Sequence, residues 1–111
     1  MIATEVILQR KNDFESLCKG HHVKYLYLFG SATSNLFDPL KSDIDLLVEL
    51  DISSPIERGE MLLSLWDGFE SFFNRKVDML TAQSIKNPYL GRSIEATKQL
   101  IYDGTKSKIL V

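Results

Sequence analysis

Three aspartates, which lie in two apolar segments, have a spacing that could bind divalent cations. Asp43 and Asp45 open the segment DIDLLVEL, residues 43–50, which alternates acidic and apolar positions. Because side chains alternate along a strand, both carboxylates should share one face, about 6–7 Å apart at their bases. Two such carboxylates repel and raise each other's pKa unless a cation relieves the repulsion. Oxygen ligands favour Mg²⁺ or Mn²⁺ over zinc.

The third aspartate, Asp78, lies in the short apolar segment VDML, residues 77–80. An acid in the middle of an apolar strand is costly without a partner. If this strand lies beside the one that holds Asp43 and Asp45, the three carboxylates form a cluster that can hold two metal ions. Each feature alone has a simpler interpretation as a solvated acid, so the prediction rests on their joint occurrence.

The pair Gly30-Ser31 ends the apolar segment VKYLYLF, residues 23–29, and is a candidate phosphate site. Glycine lets a backbone approach a ligand closely, and a helix N-terminus offers N–H groups and a positive dipole end. The Ser31 hydroxyl could add one hydrogen bond. Alone, the pair fits an ordinary surface turn. Beside a paired-carboxylate metal site it indicates phosphoryl-type transfer. Lys41 and Lys76 are weaker candidates for phosphate contacts, with surface charges as the alternative.

Helices and strands alternate along the chain, which predicts a layered α/β or α+β domain. Capping residues and hydrophobic spacing place the boundaries, with Asn12, Ser54 and Asn87 as N-caps and Gly104 as the final helix stop. The stripe of Leu62, Trp66, Phe69 and Phe73 is expected to face the core. The predicted strands span 23–29, 43–50 and 75–80, and the predicted helices span 4–11, 12–20, 31–36, 55–74 and 88–103.

Length and composition limit the classes of function. The 111 residues predict one domain, 1–111, and the net charge of −2 without a basic block argues against a broad nucleic-acid surface. The single cysteine, Cys18, is expected to fill the core rather than to react. The N-terminus lacks the pattern of a signal peptide, and the apolar runs are far short of a membrane span. A soluble, cytoplasmic protein is therefore expected.

The motifs together resemble the polymerase-β-type nucleotidyltransferase superfamily, and most closely its smallest branch, the minimal nucleotidyltransferase (MNT) proteins. The resemblance lies in LFGSA (28–32), FDP (37–39), SDIDLLVE (42–49), VDML (77–80) and the closing segment from KNPY (86–89). It implies a nucleotidyltransferase fold with a short mixed sheet, three-stranded or slightly larger, flanked by about four to five helices. The family pattern has ten residues between Gly-Ser and Asp-x-Asp, whereas eleven, 32–42, stand here.

The resemblance also implies a role for each site residue. Gly30 and Ser31 would hold the triphosphate of ATP. Asp43 and Asp45 would bind two Mg²⁺ ions, with Mn²⁺ as the substitute. Asp78 would bind the ion that activates the acceptor hydroxyl and would help to deprotonate it. All three acids are present, so the resemblance implies an active enzyme.

In this family the MNT protein is typically the antitoxin of a two-protein module, and a HEPN-domain ribonuclease is the toxin. The resemblance implies transfer of AMP from ATP to a tyrosine of that toxin. Two other interpretations stay open: a non-catalytic module that neutralises its partner by occlusion, and a drug-modifying nucleotidyltransferase. A polymerase or tRNA-tailing enzyme would need a basic groove that the net charge does not support. The oligomeric state, homo- or hetero-oligomer, also stays open.

Overall fold

A five-stranded mixed sheet with helices on both faces forms the fold of the computed structural model, which describes residues 2–33 and 43–111. The strand order is β3-β2-β1-β4-β5; β2 and β3 are parallel, and every other neighbouring pair is antiparallel. The described elements, in chain order, are α1 (Ile2–Gln9), α2 (Lys11–Gly20), β1 (Val23–Leu28), a first 3₁₀ turn (Gly30–Thr33), β2 (Ile44–Leu50), α3 (Pro55–Phe73), β3 (Val77–Leu80), a second 3₁₀ turn (Ala82–Ser84), α4 (Pro88–Thr97), β4 (Gln99–Asp103) and β5 (Lys108–Ile109).

The main core lies between one face of the sheet and the three helices α1, α2 and α3. The even positions of β2 point into it, as the alternation of the segment predicts, and Leu46 is fully buried. Aromatic rings fill its centre, where Phe14 packs against Phe69, Phe72 and Tyr102 at centroid distances of 6.0, 5.6 and 6.3 Å. This packing covers one face of the sheet. On the other face, α4 packs through Ile94 against Phe29 and Leu47.

Two helix starts confirm the capping predictions. The Ser54 hydroxyl accepts a hydrogen bond from the Glu57 N–H at 3.4 Å, and Pro55 occupies the first position of α3. The Asn87 carboxamide likewise accepts from the Tyr89 N–H at 2.9 Å at the start of α4. The predicted cap at Asn12 is wrong, since α2 begins at Lys11 and its N-cap residue makes no side-chain hydrogen bond.

The last predicted helix is also wrong beyond Thr97. Residues 99–103 form β4, which pairs with β1 and then with β5 in a hairpin, so the chain after Gly104 returns to the sheet. The spacing of the apolar residues in β4 fits a helix as well as a strand. The strand forms because β1 has an edge not paired with β2, and β4 hydrogen-bonds to it. Gly104 is required by packing rather than as a helix stop, because a Cβ there would overlap the Val23 carbonyl oxygen.

The prediction that the stripe on α3 faces the core is partly wrong. Phe69 and Phe73 are buried as expected, but Leu62 is only partly buried and Trp66 remains 36% exposed at the edge of the sheet. The predicted helix 31–36 is a 3₁₀ turn where it is described, and the predicted turn at 37–39 lies outside the described residues. Among the described residues, no helix combines the length and the hydropathy that crossing a membrane would require.

Cys18 is a fully buried core residue, as its spacing predicted. Burial, and then the charge of Glu15, raises the pKa of its thiol far above the usual range, so the nucleophilic thiolate is rare in the folded chain. We expect iodoacetamide at about pH 8 to leave the native protein unlabelled and to label it fully in guanidinium chloride. Intact mass spectrometry measures both states, and rapid native labelling would contradict the assignment.

Candidate functional site

The site is built on the face of the sheet opposite the main core, where β2 and β3 run parallel. Asp45 of β2 lies directly across from Asp78 of β3, so the two side chains project from the same side of neighbouring strands. Asp43 precedes β2 by one residue and shares that side by alternation. The structure thus places the three aspartates that the sequence singled out on one face of the sheet.

The three carboxylates differ in exposure. Asp45 is partly buried, Asp78 is exposed, and the Asp43 side chain is 38% exposed, with its Oδ2 atom 3.9 Å from the Nζ atom of Lys76. Burial, followed by the charges of Asp78 and Asp43, raises the pKa of Asp45 to about 6. Burial therefore contributes most to the shift, and the neighbouring carboxylates add the repulsion that the sequence led us to expect.

The cluster does not form a closed metal centre. Within 2–33 and 43–111, no three His, Cys, Asp or Glu side chains come together closely enough to hold an ion. The three acids lie on one face of two neighbouring strands. Lys76, a weaker candidate for a phosphate contact, forms an ion pair with Asp43. This ion pair is highly exposed, so it contributes little to stability.

Gly30 fits the site in two ways. Its φ angle is +65°, in the left-handed region that glycine occupies without strain. A Cβ at this position would also lie only 2.8 Å from Oδ2 of Asp45, so the backbone turn passes directly over that carboxylate. The Phe29 N–H donates to the Asp45 carbonyl at 3.2 Å and holds the turn against β2. The turn and the carboxylate are therefore in contact, as the sequence suggested.

Thr97, the last residue of α4, fixes the same turn, and sequence reasoning missed it. Its hydroxyl accepts from the Gly30 N–H at 2.9 Å and donates to the Ser93 carbonyl at 2.8 Å. The Gly30 N–H is thus already engaged. Ser31 lies in the 3₁₀ turn by its backbone, while its side chain, together with Lys41, is outside the described part of the structure. No local pattern in the sequence signals Thr97, because its partner Gly30 lies 67 positions away.

A cavity of about 660 Å³ opens beside the site, where β2 extends past the end of β3. Leu47 lines it and lies two residues from Asp45 on the same face, roughly 7 Å along the strand. Its walls come from α3, α4 and the second 3₁₀ turn, and include Arg58, Lys98 and Glu95. A volume of this size is typical of small-molecule sites.

Replacing Gly30 tests the contact between turn and carboxylate. Gly30→Ala should destabilise the fold by about 1–3 kcal/mol because of the positive φ angle, and it should also displace the Asp45 carboxylate. Urea denaturation measures the first effect. Gly20→Ala is the matched control, because a Cβ there meets nothing within 4 Å. Equal stability of the two variants would contradict the described contact.

The raised pKa of Asp45 makes stability depend on pH. The folded chain holds this proton up to about pH 6, whereas the usual value is 3.8, so the free energy of unfolding falls as pH rises through that window. Asp45→Asn has no proton to lose. In the presence of a chelator it should exceed the wild type by roughly 1–2 kcal/mol at about pH 7.5, and the gain should vanish near pH 4.

Thermal denaturation at both pH values measures this difference. Asp67→Asn, at an exposed position of α3, is the matched control and should show no gain at either pH. A gain for Asp45→Asn that persists unchanged at low pH would show that the ionisation of Asp45 is not its cause.

Comparison with known proteins identifies the family of the chain. The model of the nucleotidyltransferase domain family matches residues 10–101. Two candidate protein adenylyltransferases of Methanocaldococcus jannaschii are similar to this chain. MJ1379 is 39% identical over 74% of this chain and 78% of its own length, and MJ0126 is 35% identical over 88% and 91%.

Solved structures share the fold at low identity. A chain in a crystal structure of a toxin–antitoxin complex with AMP-PNP has a TM-score of 0.59 and 21% identity, over 88% of this chain and 83% of that one. A chain in a complex of tri-AMPylated Shewanella oneidensis HEPN toxin with MNT antitoxin has a TM-score of 0.52 and 20% identity, over 96% and 76%. Four α-helices and a mixed sheet in the described residues confirm the predicted fold class. The chain belongs to the nucleotidyltransferase domain family.

Proposed function

We propose that this nucleotidyltransferase moves AMP from ATP onto a hydroxyl of a partner protein, with a tyrosine of a HEPN-type toxin as the acceptor. The observation that carries the proposal is the contact geometry of Asp45, which faces Asp78 across the parallel strands and lies under the Gly30 turn. A carboxylate pair beside a close backbone turn is an arrangement that suits phosphoryl-type transfer.

The donor set fits Mg²⁺ or Mn²⁺. Asp43, Asp45 and Asp78 offer carboxylate oxygens on one face. Burial, and then the charges of Asp78 and Asp43, raise the pKa of Asp45, and a divalent cation would offset those charges. Two bound ions would neutralise charge on the triphosphate and lower the pKa of the acceptor hydroxyl. In this assignment Asp43 and Asp45 would hold both ions, and Asp78 would hold the ion that activates the acceptor hydroxyl.

The Gly30 turn is assigned to the triphosphate. Since Thr97 already engages the Gly30 N–H, the backbone donors for phosphate would come from the residues that follow, together with the Ser31 hydroxyl. The hydrogen bonds of Thr97 and Phe29 hold the turn in place before a nucleotide arrives. Such preorganisation lowers the cost of ordering the site when the substrate binds.

The proposed reaction is a displacement at the α-phosphorus of ATP. The acceptor oxygen forms a bond to phosphorus, and the bond from phosphorus to the bridging oxygen breaks, so pyrophosphate leaves with the electron pair. We assign the role of proton acceptor to Asp78, whose side chain is exposed. Asp45 is less exposed and is better suited to a fixed ligand role.

The choice of acceptor draws on the relatives. The two Methanocaldococcus proteins are named for protein adenylyl transfer, and the Shewanella complex contains a HEPN toxin that bears AMP. We assign the cavity beside Leu47, which lies on the same face of β2 as Asp45, to substrate access. On this basis we infer an antitoxin that modifies its toxin enzymatically.

Co-expression with a HEPN-domain protein encoded beside this chain tests the proposal. After incubation with ATP and Mg²⁺, we expect the partner to gain one or more AMP units by intact mass, with a tyrosine as the modified residue in peptide mapping. The Asp43→Asn plus Asp45→Asn variant should lower the rate at least about a hundredfold, because the proposed ions lose their shared ligands. A chelator should have the same effect on the wild-type protein.

The other interpretations predict different results. If the double variant still neutralises the toxin and the wild-type chain adds no AMP, the protein acts by occlusion and the enzymatic proposal is wrong. Transfer to an aminoglycoside with none to the partner would instead support a drug-modifying enzyme. Asp67→Asn is a matched control, because this exposed residue lies on α3 outside the assigned ligand set.

A further inference from the structure

The strand that contains Asp78 is short and lies at the edge of the sheet. β3 has four residues and pairs only with β2 in the described structure. The Lys76 carbonyl accepts from the Ile44 N–H at 3.1 Å, so this end of β3 is tied to β2 on its inner side. Backbone groups of the next residue, Val77, point outward by alternation. Edge strands of this kind leave polar groups unpaired unless another element covers them.

Two side chains of α3 cover that outer edge. The indole Nε1 of Trp66 donates to the Val77 carbonyl at 2.7 Å, and Oε2 of Glu70 accepts from the Val77 N–H at 3.0 Å. Because the two residues are four apart on a helix, they lie on one face and reach the same peptide segment. Together they supply the donor and the acceptor that a neighbouring strand would otherwise provide.

The residue that they hold immediately precedes Asp78. A slip of one residue would turn Asp78 to the opposite face of the sheet, away from Asp45. The burial of Val77 and Met79 opposes such a slip, but a strand of four residues has few contacts with which to resist it. The hydrogen bonds to Val77 therefore bear directly on where the Asp78 carboxylate lies.

We propose that Trp66 and Glu70 are positioning residues, which hold Val77 on both of its backbone polar groups and thereby set Asp78 opposite Asp45. The role of Asp78 in this inference rests on the proposed function. The clamp, by which we mean the hydrogen bonds of Trp66 and Glu70 to Val77, is present in the chain whatever its function. It explains why a tryptophan that is 36% exposed stays at the sheet edge and why Glu70 is directed at a backbone N–H.

Three variants separate the hydrogen bonds from the bulk of the side chains. Glu70→Ala removes the acceptor, Glu70→Gln keeps an amide oxygen in its place, and Trp66→Phe keeps an aromatic ring without the donor. Leu63→Ala is the matched control, because Leu63 is 70% exposed on the same helix. Hydrogen exchange of the 77–80 amides measures the clamp without any substrate.

For Glu70→Ala and Trp66→Phe we expect exchange in β3 to increase about tenfold while β1 is unchanged, since β3 is the weakly held edge. In the transfer assay kcat should fall about tenfold with KM for ATP within about twofold, because the misplacement affects Asp78 and spares the Gly30 turn. The Mg²⁺ concentration for half-maximal rate should rise severalfold. Glu70→Gln should restore most of the rate, and Leu63→Ala should match the wild type.

Several results would overturn the inference: unchanged exchange in β3, a fall in melting temperature with kcat and the Mg²⁺ requirement unchanged, or Glu70→Gln as impaired as Glu70→Ala. If the wild-type chain transfers no AMP, the proposed function fails separately. The clamp is then judged by hydrogen exchange and by calorimetric titration of Mn²⁺ with a non-hydrolysable ATP analogue. Weaker Mn²⁺ binding by Glu70→Ala would support the positioning role, and equal binding would refute it.

Discussion

The parallel pairing of β2 with β3 is the constraint on which the rest of the structure depends. Parallel neighbours cannot be joined by a tight turn, so the chain must cross over through α3, and that helix covers the apolar face of the sheet. The same register places Asp45 directly across from Asp78. One pairing thus creates both the main core and the acidic face, and a shift of register would disturb both.

The acidic face works against stability. Burial, and then the like charges of Asp78 and Asp43, raise the pKa of Asp45 to about 6, so its charged form is costly. The opposite face offsets this cost, because fully buried side chains such as Leu46, Phe14 and Phe69 hold the strands together from below. Locally unfavourable features of this kind are typical of functional sites, where chemistry and stability place opposite demands on the same residues.

Sequence patterns were sufficient for features set by local chemistry. Alternation placed Asp43 and Asp45 on one face, and the caps at Ser54 and Asn87 marked two helix starts. Patterns failed where distant elements decide. Residues 99–103 fit a helix or a strand, and only the free edge of β1 selects the strand. Contacts of Thr97 across 67 positions in sequence have no local signature.

Trp66 shows the same limit from the other direction. Its spacing with Phe69 and Phe73 predicted a core residue. Instead, its indole N–H donates a hydrogen bond to the Val77 carbonyl, which would otherwise be unpaired at the edge of β3. A helix that packs beside an edge strand can meet this need only with side chains at fixed spacing, here four residues. The amphipathic pattern of α3 therefore contains two stripes. One, with Phe69 and Phe73, packs in the core, and its neighbour, with Trp66 and Glu70, hydrogen-bonds the edge of β3. Because hydrophobicity alone does not separate them, hydrogen-bonding capacity at the margin of a stripe is the feature that distinguishes an edge-capping residue from a core residue.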